Sequence, residues 1–338
     1  MNHITHRAAA SVSLALVSLT LLHVHALRRA WTDPVSAASR DPDVALQGEY
    51  LLDGDLLQAG ALGGGQFHVA RISGGRPGSG AVTHARLSRH DVRALARRAT
   101  RHTRTSPTLG AAPPAGALVL HPLGGPDAYD RRWSSWSLDR AGLLREGAVT
   151  RAEFGDVALH LEFLVPYKPY LSLGSQDRGN SGVYLADQYE IQILDSFALH
   201  ADAQCGFAST RWCAAVYGVR APDVSPGLPP LTWQTYDIEF RAARFVDGQK
   251  MANARVTVRF NGVMVHNDIV LEAPTGLAIW RGEASRGPIV LQDHANPVRF
   301  RNIWAFECSS RHSRRADDAD PRRRSRATPG TSGNRPRP

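Results

Sequence analysis

Between Trp133 and Phe306 apolar and polar residues alternate in short runs separated by turn residues, the period-two pattern of half-buried β-strands. In Leu159-His160-Leu161-Glu162-Phe163 the apolar side chains share one face and His160 and Glu162 the other. In Tyr189-Glu190-Ile191-Gln192-Ile193 the same alternation fixes a carboxylate and an amide side by side on a strand. The pattern predicts strands at 117–121, 133–138, 156–165, 183–185, 189–194, 233–241, 254–260, 263–266, 288–291 and 299–306. Asn261-Gly262 joins two of these runs and reads as a type I′ hairpin turn, in which both central residues need positive φ. No run is followed by a convincing crossover helix, so the fold class is all-β, with antiparallel sheets packed as a sandwich.

Upstream the pattern changes. Residues 47–83 are Gly-rich with short apolar runs and predict a small β leader. Residues 84–116 hold a basic helix and then a Pro/Ala-rich linker. Val92, Leu95, Ala96 and Ala99 lie at helical spacing, with Ser88 and Asp91 placed as a capping box. The sandwich domain is expected over 117–308, an extended linker over 27–46 and a disordered, Arg-rich tail over 309–338. Residues 1–26 have a weakly basic start, an apolar run and the small-residue site Val24-His25-Ala26, the features of a secretory signal peptide. An apolar run of about 15 residues falls short of the roughly 20 that a bilayer span needs. The mature chain is therefore expected to be exported, periplasmic or extracellular, without a membrane span.

Composition changes this picture little. The net charge of +9 comes mostly from Arg clusters at 86–104 and 311–337, outside the patterned region, so no nucleic-acid partner is expected. Of three cysteines, Cys205 and Cys213 are close in sequence and flank an apparent loop, so they are expected to pair, leaving Cys308 over.

The candidate chemistry lies near the ends of the predicted strands. Glucanases of the jelly-roll class carry three acidic side chains at alternate positions of one strand, where this chain has Glu190, Gln192 and Leu194. A β-bulge before Asp195 would return a carboxylate to the Glu190 face. Two-carboxylate hydrolysis and a purely sugar-binding Glu190 both remain open. Asp293 and His294 follow an apolar run; an imidazole exchanges protons near neutral pH, and the carboxylate can orient it or bind a metal. Glu190, Asp293 and His294 are thus the catalytic candidates, and Glu190 and Asp293 the candidates for a divalent cation. No organic cofactor is expected. Substrate-binding candidates are Arg178 and Asn180 in the Gly-rich turn, Gln192, Asp195, Gln292, Arg299, Arg301 and, as an exposed stacking platform in a long loop, Trp212. On the last strand Arg299 and Arg301 are expected on one face and Asn302, Trp304 and Phe306 on the other. Glu162 is expected either to join the polar face of Glu190 or to meet solvent.

Several segments together resemble one family. They are Glu153-Phe-Gly-Asp156, Leu159-His-Leu-Glu-Phe163, Arg178-Gly-Asn-Ser-Gly-Val-Tyr184, Tyr189-Glu-Ile-Gln-Ile-Leu-Asp195 and Trp233-Gln-Thr-Tyr-Asp237, followed by Asn253-Ala-Arg-Val-Thr-Val258, Asn261-Gly-Val263, Gly287-Pro-Ile-Val-Leu-Gln-Asp-His294 and Pro297-Val-Arg-Phe-Arg-Asn-Ile-Trp304. In this order, across 117–307, they resemble the 3-keto-disaccharide hydrolase domain family. The resemblance implies a concanavalin A-like jelly roll and action on 3-keto-disaccharides or other 3-keto-glycosides. A ketone at C3 acidifies the C2 proton, a base removes it, the C1 leaving group departs, and water adds to the enone. By this analogy His294 or Glu190 is the base, Arg178 or Arg301 the oxyanion stabiliser, and Asp293 an orienting group or metal ligand. Cys213-Ala-Ala-Val-Tyr217 resembles a Cys-Gly-Gly-Ile-Tyr segment of the family, and Gly227 stands where many relatives have a second Cys. A non-catalytic carbohydrate-binding jelly roll using the same face is the alternative.

Overall fold

The computed structural model describes residues 30–124, 131–200, 206–276, 278 and 282–308. The expected signal peptide, the Arg-rich tail and Cys205 lie outside the described residues. Among the described residues no helix is long and apolar enough to cross a membrane.

The chain opens with α1 (Pro34–Arg40), begun by a Pro in its first turn and by Asp33, whose carboxylate accepts from the Ser36 amide at 2.7 Å. This stretch is therefore not the extended linker expected over 27–46. Four strands follow as a meander: β1 (Gly48–Leu52), β2 (Asp55–Gly63), β3 (Gln66–Ile72) and β4 (Val82–Ser88). Next come α2 (Arg89–Arg98), with the expected Ser88–Asp91 capping box, and β5 (Thr100–His102), which closes the sheet against β1. The leader sheet, in the order β4-β3-β2-β1-β5, thus runs past residue 83. Every residue of β4 pairs with β3 before Ser88 turns the chain into the helix.

The sandwich begins with β6 (Leu118–His121), β7 (Trp133–Ser135), β8 (Leu144–Arg145), β9 (Ala148–Phe154), β10 (Val157–Leu164), β11 (Ser181–Leu185) and β12 (Tyr189–Ile193). It continues with β13 (Gln234–Arg241), the small hairpin β14 (Arg244–Val246) and β15 (Gln249–Ala252), and then β16 (Ala254–Phe260), β17 (Val263–Leu271), β18 (Gly287–Leu291) and β19 (Arg299–Glu307). One sheet has the order β17-β16-β13-β10-β19-β6 with β8 beside β19, and the other β12-β11-β18-β9-β7. All pairings are antiparallel, and the fold is the all-β jelly-roll sandwich. Leu159, Leu161 and Phe163 meet Tyr189, Ile191, Ile193 and Ile289 in the core between the sheets. At the β16–β17 turn Asn261 and Gly262 have φ of 49° and 77°, with Phe260 paired to Val263, as the Asn-Gly signal requires.

Around Glu162 the outer face of the larger sheet is sealed. On β19 the register slips so that Asn302 and Ile303 together oppose one residue of β10, and Asn302 takes a φ of 46°. This bulge keeps Phe300, Ile303 and Ala305 in the core and turns Arg301, Asn302 and Trp304 outward together. The expected separation of Arg301 from Asn302 and Trp304 is thereby corrected. Glu162 accepts from Arg301 Nε at 2.7 Å, Asn302 Nδ2 at 2.9 Å and the Gly110 amide at 2.5 Å. Residues 104–111 pack over this network. Ser106 bonds Thr235, Thr108 donates to Asp237, and the Ala111 carbonyl accepts from Asn302. Glu162 therefore meets neither solvent nor Glu190.

Arg178 ties the leader to the sandwich. Its guanidinium has no exposed surface; Nε donates to Asp195 Oδ2 at 2.7 Å, Nη1 to the Leu171 carbonyl at 2.7 Å and Nη2 to the Ala61 carbonyl at 2.9 Å. A second tie pairs Trp31 and Tyr167 through both backbone amides, with the Tyr167 hydroxyl donating to Asp41 at 3.0 Å. Removing one member of a buried pair strands the other charge. R178A is expected to lose about 3–5 kcal/mol in urea unfolding, and R178K, which cannot reproduce the fork, to fall between R178A and wild type.

Candidate functional site

The exposed chemistry sits on the outer face of the smaller sheet. Alternation on β12 turns Glu190 outward, and the register sets Tyr184 of β11 directly opposite it. The Tyr184 hydroxyl donates to Glu190 Oε2 at 2.7 Å. The other edge of β12 is closed by the loop after residue 211, where the Tyr217 amide donates to the Glu190 carbonyl at 3.1 Å. From a third direction Thr275 Oγ1 accepts from the Glu190 amide at 2.7 Å. Two glycines leave room for the carboxylate. A Cβ on Gly182 would stand 2.4 Å from Oε1, and one on Gly276, at a φ of 59°, would stand 2.1 Å from Oε2. Glu190 ends up 1% exposed. Burial pushes its pKa up to about 7, against the opposing effect of the Tyr184 hydroxyl.

Above the carboxylate lies a cavity of about 160 Å³ lined by Asn180, Glu190, Tyr217, Gly276, Gln292 and His294. Gln176 Oε1 accepts from Asn180 Nδ2 at 3.3 Å and from Gln192 Nε2 at 3.1 Å. That contact occupies the nitrogen of Asn180 and leaves its Oδ1 buried without a donor. Gln292 likewise approaches the Tyr184 hydroxyl with Nε2 at 3.5 Å and leaves Oε1 buried without a donor. Buried acceptors are ordinarily satisfied, so two unfilled carbonyl oxygens beside a protonatable carboxylate suit a ligand rich in hydroxyl donors.

Of the residues singled out from the sequence, Glu190, Asn180, Gln292 and His294 come together in this cavity. Asp293 faces a neighbouring depression with Gly147, and its Oδ1 accepts from the Ala295 amide at 2.8 Å. Gln192 is fully buried against Gln176 and the Arg211 carbonyl. Arg178 and Asp195 are consumed by their buried ion pair, so no bulge brings Asp195 to Glu190. Trp212 is 8% exposed and packs in the core rather than offering a platform. Arg299 pairs with Asp139 at 2.6 Å. Arg301 lies on the sealed face, with its guanidinium carbon 3.9 Å from the Trp233 ring centre. Neither arginine expected to stabilise an oxyanion faces the cavity.

The expected Cys205–Cys213 disulfide is corrected as well. Cys213 is a free, buried thiol with Sγ 3.2 Å from the Tyr236 hydroxyl, and burial raises its pKa to about 11. Among the described residues no three His, Cys, Asp or Glu side chains are grouped to hold a metal ion. Glu190 and Asp293 line different, adjoining cavities.

Tyr184, Gln176, Tyr217 and Gly276 were not singled out from the sequence. Tyr184 follows from counting back across the hairpin from Glu190. Tyr217 and Gly276 arrive on loops whose courses no local pattern gives.

The raised pKa has a testable sign. The unfolded chain loses the Glu190 proton near pH 4.5 and the folded protein near 7, so the cost of ionising the buried group grows between those values and is complete above 7. E190Q is expected to be more stable than wild type at pH 8, by about 1–3 kcal/mol in urea unfolding, with the difference vanishing towards pH 4.5.

Residues 141–305 match the family model described as a 3-keto-alpha-glucoside-1,2-lyase-like domain. Three crystal structures of proteins described as a "putative glycosyl hydrolase" from Parabacteroides distasonis are similar. The first is 28% identical, covering 58% of this chain and 85% of its own, with a TM-score of 0.47. The second is 15% identical, covering 57% and 94%, with a TM-score of 0.41. The third is 21% identical, covering 55% and 98%, with a TM-score of 0.37. No match was found among curated proteins. The matched stretch contains every described residue that lines the Glu190 cavity, so the candidate site lies within the part of the chain that is similar to the 3-keto-alpha-glucoside-1,2-lyase-like domain.

Proposed function

We propose that the protein is an exported carbohydrate-active enzyme that cleaves the glycosidic bond of 3-keto-glycosides by elimination followed by hydration. The observation that carries this reading is Glu190, a buried carboxyl raised to about 7 that opens onto a cavity with unfilled acceptors. A base that must take a weakly acidic C–H proton near neutral pH works best with a pKa near the working pH. An ordinary surface glutamate, near 4.3, would be a weaker base.

Glu190 removes the C2 proton, the electron pair forms the C1–C2 double bond conjugated with the C3 ketone, and the C1–O bond breaks. His294, on the same cavity, returns a proton to the departing oxygen. Water then adds across C1–C2 of the enone, completing a net hydrolysis. Asn180 Oδ1 and Gln292 Oε1 accept from ring hydroxyls and orient C2 towards Glu190. The family match of residues 141–305 supports this chemistry, and among the described residues that line the Glu190 cavity there is no second carboxylate, which sits poorly with the two-carboxylate route.

The test is incubation of a 3-keto-disaccharide with wild type and E190Q, with and without chelator. Wild type is expected to release both sugars, with kcat/KM rising as pH passes upward through about 7 as Glu190 ionises, and E190Q to fall by about 10²–10⁴. Sugar binding without product under either condition would instead make the protein a non-catalytic carbohydrate-binding module. Export is checked by the N-terminus recovered outside the cytoplasm, expected just after residue 26.

A further inference from the structure

The leader sheet carries chemistry that the Glu190 cavity does not use, and it lies outside the matched residues 141–305. Residues paired across strands share a face, and Glu49, Gln58, Ala70 and His84 are paired in turn from β1 to β4. His68, two residues before Ala70 on β3, joins the same face. Ala70 offers only a methyl group opposite His84, and the two imidazoles meet: His68 Nε2 lies 3.0 Å from His84 Nδ1, with ring centres 4.9 Å apart. His84 is exposed and His68 half-buried. A third imidazole, His200 from the loop after β12, has its ring centre 6.4 Å from that of His84. Its Nε2 lies 2.7 Å from Gln58 Oε1, and Gln58 Nε2 donates to Glu49 Oε1 at 2.8 Å.

We propose that His68 and His84 form a binding site for a divalent late transition metal, Cu²⁺ or Ni²⁺ ahead of Zn²⁺, with water completing the coordination. Two nitrogens bound to one ion at about 2.1 Å, with a right angle between the bonds, stand about 3.0 Å apart. The facing nitrogens already have that spacing, so the strands need not move. Right angles suit tetragonal Cu²⁺ and Ni²⁺, whereas tetrahedral Zn²⁺ asks for a wider separation. Whichever ring donates in the His68–His84 bond moves its proton to its other nitrogen, so that both facing nitrogens offer a lone pair and no net proton is released. Exposed His84 has water to receive that N–H, and His68 has the Ala198 carbonyl beside it. Arg86, paired with His68, places a cation on the same face and lowers the affinity for another. The bound ion joins β4, at the edge of the leader sheet, to β3, and so stabilises the leader by mass action.

The test is titration of the untagged full chain with CuCl₂, NiCl₂ and ZnCl₂ by calorimetry, with pulsed EPR of the Cu²⁺ complex, in wild type, H68Q, H84Q and the double variant. The chain holds 14 histidines, so the double variant measures ions held elsewhere. Because His84 is exposed, H84Q is expected to keep the wild-type melting temperature without metal, which separates loss of a ligand from loss of the fold. Wild type is expected to show two coordinated imidazoles, falling to one in each single variant, with affinity reduced roughly tenfold or more. Cu²⁺ is expected to bind most tightly and Zn²⁺ least, and Ni²⁺ to raise the melting temperature of wild type more than that of either variant. Equal affinity in wild type and the double variant, or a single coordinated imidazole in wild type, overturns the site. None of these readouts involves the Glu190 cavity, so the outcome is independent of the proposed reaction.

Discussion

A guanidinium with no exposed surface is the constraint on which the rest of the structure depends. Arg178 draws together Asp195 at the end of β12, the loop before β11 and the Ala61 carbonyl of the leader sheet. A fully buried charge is tolerated only when its donors are used, and here each nitrogen has an acceptor. Asn180 lies two residues beyond Arg178 and Glu190 five residues before Asp195, so the same clamp sets both ends of the hairpin that carries the cavity. The leader is therefore a structural wall of the sandwich, not an appended decoration.

The two outer faces treat similar residues in opposite ways. On the larger sheet Glu162 is met by a guanidinium, an amide and a backbone N–H, and residues 104–111 close over it. On the smaller sheet Glu190 has, among the described residues, a single phenol as side-chain donor, with two glycines against it and unfilled acceptors nearby. A carboxylate matched by three donors, one of them a cation, has little left to offer a ligand. One that is buried and short of donors keeps a proton that it can exchange.

The sandwich was legible because burial of one strand face imposes a period that survives without context. The runs around Leu159 and Ile191, the Asn261-Gly262 turn and the Ser88 capping box all stand as the sequence suggests. Half of the cavity was legible for the same reason, since Glu190, Gln292 and His294 leave or follow strands. Arg178 reads as a ligand-binding residue because its turn is Gly-rich, yet its Ala61 partner lies 117 residues away. The bulge at Asn302 reverses the alternation that a regular strand would have, so Arg301 and Trp304 share a face that period two would deny them. Gly276 shows its purpose only where its missing side chain admits the Glu190 carboxylate.

The pairing of the leader strands bears on the order of assembly. β1 to β4 pair almost wholly with their neighbours in sequence, whereas β10 must find β13 and β19 far along the chain. Local meanders close quickly and distant pairings slowly, and the N-terminal part leaves the ribosome first. The Ala61 carbonyl thus belongs to a sheet of mostly local pairings, and its partner Arg178 to a sandwich of distant ones.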